Sequence, residues 1–442
     1  MTTAADAIAR LHRAEWARIV AGLARRFGDL DIAEEAAAEA FAAAAVRWPA
    51  DGVPPNPGGW LMTTAQRKAI DRIRREAVRG DRQIDAYRLH DDSPAEPVGA
   101  VDDDRLRLMF ICCDPALSTE GRVALTLRIV GGLTVAEIAR AFLVPQTTMG
   151  QRITRAKAKI ASAGLPYRMP ERADLPDRVA GVLNVLYLIF NEGYLASDAQ
   201  SAPIRRELTA EAIRLTRLAR ELLRGEPEER KVAGLLALML LTEARAAARV
   251  SSDGELVRLD EQDRGAWDRA LIGEGLALVR EQVAASARGE GPPERYQLLA
   301  AVNAVHVSAP SACDTDWARI VSLYTRLERI DPSPLVTLGK AVAVAEYDSP
   351  QVALAMVDHL TDALSEHPSF HATRAELLRQ IDRSGEAREA YDRATALAGN
   401  GAEVAHLTRR RNQLADTQIT QSQTAPSQTT QSQIGHPRRS TP

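Results

Sequence analysis

Between Trp48 and Trp60 the chain reads WPADGVPPNPGGW, four prolines and three glycines in thirteen residues. Proline locks φ and removes a backbone donor, and glycine loses the most backbone freedom on folding, so no helix is expected through such a stretch. What flanks it is the opposite. Alanine, leucine, arginine and glutamate dominate, all strong helix formers, while aromatic residues make up 4%. Val and Ile occur singly more often than in the alternating runs of strands. The chain therefore reads as all-α, cut into units by breaks of this kind.

At 442 residues it exceeds what one compact core holds, and two to four domains are expected. Ala4 to Arg26 is an amphipathic helix with Ile8, Leu11, Ile19 and Leu23 on one face. Asp29-Leu30-Asp31 offers N-cap chemistry to a second helix, Ile32 to about Trp48, and a third runs from Trp60 to Arg79. These make a first unit over residues 4–80. From Gly80 to Asp104 there are eight acidic residues and two arginines, which resists packing and predicts a flexible linker at 81–103. A compact helical unit is expected over 104–165. Three prolines between Pro166 and Pro176 mark the next boundary, before a helical region at 177–294.

Over 295–414 the chain repeats itself. VALAMVDHLT lies over EAREAYDRAT at an offset of 34 residues, aligning Ala353 with Ala387 and Asp358 with Asp392, and DWARIVSLYTRLERIDP is a looser copy. That period is the one of tetratricopeptide helix pairs; chance similarity between Ala-rich helices is the competing reading. From 417 to 442 a Gln/Thr/Ser-rich tail is expected to be disordered.

The net charge is only -3, yet charge is distributed unevenly. Three cysteines, Cys112, Cys113 and Cys313, make a poor disulfide framework and point to a reducing cytosol. The N-terminus has acid and Arg where a signal peptide needs an apolar core, and the run Val179 to Phe190 contains Asn184 and is too short to span a bilayer. A cytoplasmic protein without a membrane partner is expected. Cys112-Cys113-Asp114 is not zinc spacing and reads as core. His306, His359, His367 and His371 are dispersed, with no HExxH pair, and there is no G-x-S-x-G, P-loop or dinucleotide fingerprint. Nothing supports an enzyme, a metal or a cofactor.

Three segments carry the functional signal. In LTVAEIARAFLVPQTTMGQRITRAKAKI, Thr134 can cap a helix with Val135, Ile138 and Ala139 inward, Phe142 to Pro145 break it, and a second helix follows with Met149 and Ile153 inward. This is helix-turn-helix spacing. Thr147, Thr148, Gln151, Arg152, Arg155 and Lys157 are then the DNA-facing candidates: Arg and Gln suit base edges, Lys and Thr suit phosphates. A basic surface helix is the alternative. In WLMTTAQRKAIDRIRREAVR, six cations outnumber Asp71 and Glu76 behind a Pro/Gly loop and two tryptophans. Trp60, Thr63, Thr64, Arg67, Lys68, Arg72, Arg74 and Arg75 suit single-stranded nucleic acid; a pair of core tryptophans on a plain connector is the competing reading. In DIAEEAAAEAF, Asp31, Glu35 and Glu39 recur every four residues as one negative stripe, and Glu34 lies beside it; a basic protein partner or water can face such a stripe.

In this order the three segments resemble the extracytoplasmic-function sigma factors of bacterial RNA polymerase, over about Ala4 to Gly164. The resemblance implies that DIAEEAAAEAF binds the clamp of the largest polymerase subunit through Asp31, Glu34, Glu35 and Glu39. NPGGWLMTTAQRKAIDRIRR would recognise and melt the −10 element. GGLTVAEIARAFLVPQTTMGQRITRAK would read the −35 element, its unit meeting the flap of the second subunit. Ala38 stands where that family commonly has Gln, and Leu143 where it commonly has Gly. The remainder, with VLYLIFNEGYLAS at Val185 to Ser197, is similar to a subgroup carrying a helical domain and tetratricopeptide-like repeats. Leu186, Ile189 and Phe190 read as core and Asn191-Glu192-Gly193 as a helix end; a docking role for Glu192 or Tyr194 is the less favoured reading. The extension is expected to regulate the sigma domains from within the chain and to offer the repeats to a protein or peptide. A DNA-binding regulator that never joins polymerase, or a helical-repeat scaffold, are the other classes open to such a sequence.

Overall fold

The computed structural model describes residues 4–79, 104–142, 144–163, 170–195, 204–251, 255–399 and 401–424. Among them the chain is helical, and its one β contact is an isolated bridge between Val250 and Leu256. The expected linker at 81–103 and Leu143 lie outside the described residues. No helix is long and apolar enough to cross a membrane among the residues described.

The proline-rich stretch is less of a break than its composition predicts. α1 (Ala4–Phe27) leads through Gly28 into α2 (Leu30–Asp51), whose N-cap Asp29 accepts from the Asp31 and Ile32 amides. Pro49 sits inside α2, within a turn of its end, where few backbone bonds remain for it to remove. α3 (Pro57–Arg79) begins on a proline, whose missing N–H has no intrahelical acceptor at that position anyway. Gly52, at φ +81°, stops α2 and donates to the Trp48 carbonyl at 3.0 Å. Trp48 is buried and meets Trp60 edge to face at 5.4 Å.

α4 (Asp104–Cys112), α5 (Thr119–Leu125), a π-helical turn (Thr126–Val130), α6 (Val135–Ala141) and α7 (Gln146–Ser162) follow. Then come α8 (Leu175–Tyr194), α9 (Arg206–Leu222) and α10 (Glu229–Glu243). One continuous buried cluster runs from Trp16 in α1 through α4–α7 to Leu240 in α10. The units that the sequence separates at a linker and a proline run thus share a core. Cys112 and Cys113 are buried in it, where burial pushes both thiols up, Cys113 to about 11. The helix end expected at Asn191-Glu192-Gly193 falls one residue later, at Tyr194, and Gly193 is not its cap: a Cβ at 193 would stand 2.7 Å from the Thr209 amide. The glycine is there because α9 crosses too close for a side chain.

α11 (Arg269–Ala287), α12 (Arg295–Ser308), α13 (Trp317–Ile330) and α14 (Pro334–Tyr347) lead into α15 (Pro350–Asp358), α16 (Thr361–Leu364), α17 (Pro368–Gln380), α18 (Ser384–Leu397) and α19 (Gly401–Thr424). A second core joins α14 to α19. Ala353 and Ala387, the aligned alanines, are both fully buried. The aligned aspartates each pair with an arginine on the next long helix, Asp358 with Arg374 at 2.8 Å and Asp392 with Arg411 at 2.7 Å. α19 runs to Thr424, so the expected tail is helical over its first residues; once a helix is nucleated, each further residue adds a bond at little cost. Residues 425–442 lie outside the described residues.

Glu376 organises this second core. It accepts from Arg379, Arg410 and the Tyr391 hydroxyl and pairs with Arg258 at 3.0 Å. Burial would raise its carboxyl, but the bonds from Arg379 and Arg410 and the charge of Arg258 win and hold it well below the usual range. A depressed carboxyl contributes stability that is present above about pH 4.3 and lost as pH falls below it. Acid denaturation followed by circular dichroism is expected to show this loss, and Glu376→Gln to be less stable at pH 7 with a flatter acid limb. An unchanged acid limb would contradict it.

Candidate nucleic-acid interface

α6 and α7 form the helix-turn-helix that the sequence predicts. Thr134 and Glu137 make a capping box, the Thr134 hydroxyl accepting from the Glu137 amide at 3.2 Å and the Glu137 carboxylate from the Thr134 amide at 2.7 Å. Ile138, Ala139, Met149 and Ile153 are buried as expected. Thr147, Gln151 and Arg155 are exposed, and Thr148 and Arg152 are half-buried. Arg152, Arg155 and Lys159 line a groove against the start of α5, beside Ser118 and Glu120. Thr154 and Lys159 also face solvent, as neighbours of the expected readers.

Lys157 does not face solvent. Its side chain is 11% exposed, and its Nζ donates to Asp31 Oδ1 at 2.6 Å and Glu34 Oε2 at 2.5 Å, across to α2. The reason is helical geometry: Lys157 lies four residues after Ile153 and three before Ile160, on the buried face. Glu34 is likewise not part of the exposed stripe. It is 7% exposed, and its other oxygen accepts from Arg128 Nε at 2.6 Å. A buried carboxylate tolerates loss of water only when paired on its free lone pairs, and here two cations supply that.

The π turn positions Arg128. Its wider hydrogen-bond spacing runs from the Gly131 amide to the Thr126 carbonyl and from Leu133 to Leu127, and the Ile129 carbonyl takes the Trp16 indole N–H at 3.1 Å. Arg128 also donates to the Leu133 carbonyl at 2.8 Å. Gly132, at φ +76°, leaves no room for a Cβ, which would lie 3.0 Å from Trp16 and His12. His12 stacks near Trp16 and Phe41 at 4.8 Å each, and burial lowers its pKa against the raising pull of Glu137. Arg128 was legible as an anomaly, a lone cation in the apolar run LTLRIVGG; Trp16 carried no signal.

α3 is held on the same side. Arg72 pairs with Glu35, and Lys68 with Glu39 at 3.2 Å. Arg75 donates to its own helix at the Asp71 carbonyl, while Arg67 and Arg74 are exposed and make no ion pair among the described residues. Thr63 is exposed; Trp60 and Thr64 are half-buried. Asp31, Glu34, Glu35 and Glu39 are thus all answered from within the chain. Ala38 between them is exposed.

α8 and α9 brace both halves. Arg178 donates to Asp114 at 2.6 Å. Arg205, paired with Glu192 at 2.6 Å, reaches the Ala141 carbonyl at the end of α6, and Arg214 reaches the Arg13 carbonyl in α1 at 3.3 Å. Glu192 therefore does act at the junction, through Arg205. Tyr194 instead stacks on Phe190 and lies under Arg249.

Comparison with known proteins fits this division. The model of sigma-70 region 2 matches residues 13–79, that of sigma-70 region 4 matches 108–160, and a family of unknown function (DUF6596) matches 178–283. A probable ECF RNA polymerase sigma factor, SigI of Mycobacterium tuberculosis, is 29% identical over 160 residues, 35% of this chain and 54% of that protein. The ECF RNA polymerase sigma factor SigK of Mycobacterium ulcerans is 30% identical over 105 residues, 23% of this chain and 56% of that protein. The chain thus spans about half the length of these sigma factors. No solved structure matches it. α1–α3 thus carry a sigma-70 region 2 and α4–α7 a sigma-70 region 4, the part of the chain that is similar to these ECF sigma factors. With 43% identity over 402 residues, 89% of this chain and 92% of the relative, the chain belongs to the family of the uncharacterized protein R00370 of Rhizobium meliloti.

Removing Glu34 would leave the half-buried Arg128 without its carboxylate partner and Lys157 with Asp31 alone. Glu34→Ala is expected to cost about 3 kcal/mol in urea denaturation. A loss under about 0.5 kcal/mol would show both cations solvated rather than clasped.

Proposed function

We propose that the protein attaches to RNA polymerase core and directs it to promoters, and that the helices from α8 onward restrain it. Asp31, Glu35 and Glu39 on α2 meet the clamp of the largest subunit, and region 4 the flap of the second. Trp60, Thr63, Thr64, Arg67, Lys68, Arg72, Arg74 and Arg75 engage the −10 element. Thr147, Thr148, Gln151, Arg152 and Arg155 read the −35 element. Lys157 joins them once α2 releases it. The observation that carries this reading is the order of a region 2 and a region 4, each presenting uncommitted cations on one helix.

The regulatory part rests on distance. The two elements lie about 25 base pairs apart, about 85 Å of duplex at ~3.4 Å per pair. Here α2 and α7 touch through Lys157, and α9 ties α1 to α6. The closed form cannot span both elements, so transcription requires it to open. The α13–α19 helix pairs fit a tetratricopeptide-like array facing a protein or peptide partner, supported by the shared offset of 34 residues and the matched Ala and Asp environments.

Run-off transcription with purified core polymerase on a promoter library tests the function. Promoter-specific transcripts are expected from the full chain. Arg67→Ala with Arg74→Ala is expected to abolish permanganate-detected melting and to lower the salt slope of binding by about two. Arg152→Ala is expected to relax −35 preference by ~1–3 kcal/mol. DNA binding without capture of core subunits would make the protein an independent DNA-binding regulator instead.

A further inference from the structure

A groove between α10, α11, α12 and α13 has no part in that reading. It encloses about 680 Å³, within the span of small-molecule sites. Its floor is apolar, from Ala237, Leu276, Val279, Leu298, Val305 and Leu323. Two buried carboxamides stand in its wall. Gln297 is spent: its Nε2 donates to Gln282 Oε1 at 2.8 Å and to the Arg230 carbonyl at 3.1 Å, and its Oε1 accepts from the Glu294 amide at 2.7 Å. Gln282 is 6% exposed; its Oε1 also accepts from Arg230, yet its Nε2 has no acceptor among the described residues. That nitrogen is not sealed from solvent, so it is a donor open to an acceptor that enters the groove.

The rim is cationic. Arg280, Arg319 and Arg326 are exposed, and none makes an ion pair among the described residues. Two carboxylates close one end but are already engaged. Asp316 caps α13 by accepting from the Arg319 amide at 2.9 Å, and Asp314 accepts from the Ser311 hydroxyl at 2.7 Å. Free donors and positive charge therefore exceed free acceptors.

We propose that this groove binds a small amphipathic carboxylate. The apolar body lies on the floor, and the carboxylate takes the Gln282 Nε2 and the rim arginines, as a fork of planar donors favours. The site stands apart from the DNA-facing helices, so it holds whether or not the protein initiates transcription.

Calorimetric titration of the full chain with decanoate, decanol and decylammonium tests it. Decanoate is expected to bind saturably with one site, decanol at least about tenfold more weakly, and decylammonium without measurable heat. Arg280→Ala with Arg326→Ala, two exposed positions, is expected to weaken decanoate by about tenfold or more while leaving the unliganded melting temperature unchanged. Equal binding of decanol and decanoate, decanoate binding indifferent to both substitutions, or no saturable decanoate heat at millimolar concentration would overturn the proposal. So would an Asp/Glu-rich octapeptide that binds where decanoate does not, since the groove would then serve a protein. The ligand comparison needs no variant, so a misfolded variant cannot shield the idea.

Discussion

Glu34 is nearly cut off from water, and the contact of α2 with the π turn and α7 depends on how its charge is answered. Taking a carboxylate out of water costs several kcal/mol, recovered only with good geometry on every lone pair. Arg128 and Lys157 provide it from two different elements, one in the π turn and one in α7. Because those cations come from region 4 and the carboxylate from region 2, neither region satisfies its own buried charge alone. The Trp16 bond to Ile129 and the fit of Gly132 against His12 and Trp16 then follow as packing around a fixed junction.

The same junction divides the cations by role. Lys157 and Arg128 are committed to holding the two regions together, Arg72 and Lys68 to α2, and Arg67, Arg74 and Arg155 to nothing within the described chain. A partner that engages the α2 face competes with four internal cations at once. Binding of that kind is linked to opening, because a ligand shifts a two-state equilibrium by its differential affinity for the states. α10 is common to this core and to the groove, with Leu235 and Leu240 in the one and Gly234 and Ala237 lining the other. The extension is thus joined to the sigma regions by a shared helix, along with the polar braces from Arg178, Arg205 and Arg214.

Local chemistry was legible in the sequence, and long-range chemistry was not. The Asp29 cap, the Thr134 capping box, the inward Ile138, Met149 and Ile153, and the buried cysteine pair all depend on neighbours within a few residues. Pro49 and Pro57 misled because proline forbids only helix interiors, and both fall near helix ends. The helix end near Gly193 is legible within one residue, but the need for glycine there comes from the crossing helix, which its own neighbours do not encode. The Glu34 junction joins residues 94 and 123 positions apart, which no local pattern encodes. Lys157 was nonetheless recoverable: its spacing from Ile153 and Ile160 marks it as inward, and its charge concealed that.

The central claim is that the free protein is closed and the polymerase-bound protein open. Spin labels at the exposed positions Ala38 on α2 and Thr154 on α7, each changed to Cys in a Cys313→Ser background, report it through pulsed dipolar spectroscopy. The account predicts a single short distance in the free chain, within ~30 Å, the diameter of a small domain. On core polymerase with promoter DNA it predicts a long one, as two elements about 85 Å apart require. An unchanged short distance in an actively transcribing complex, or a long one in the free chain, would contradict it.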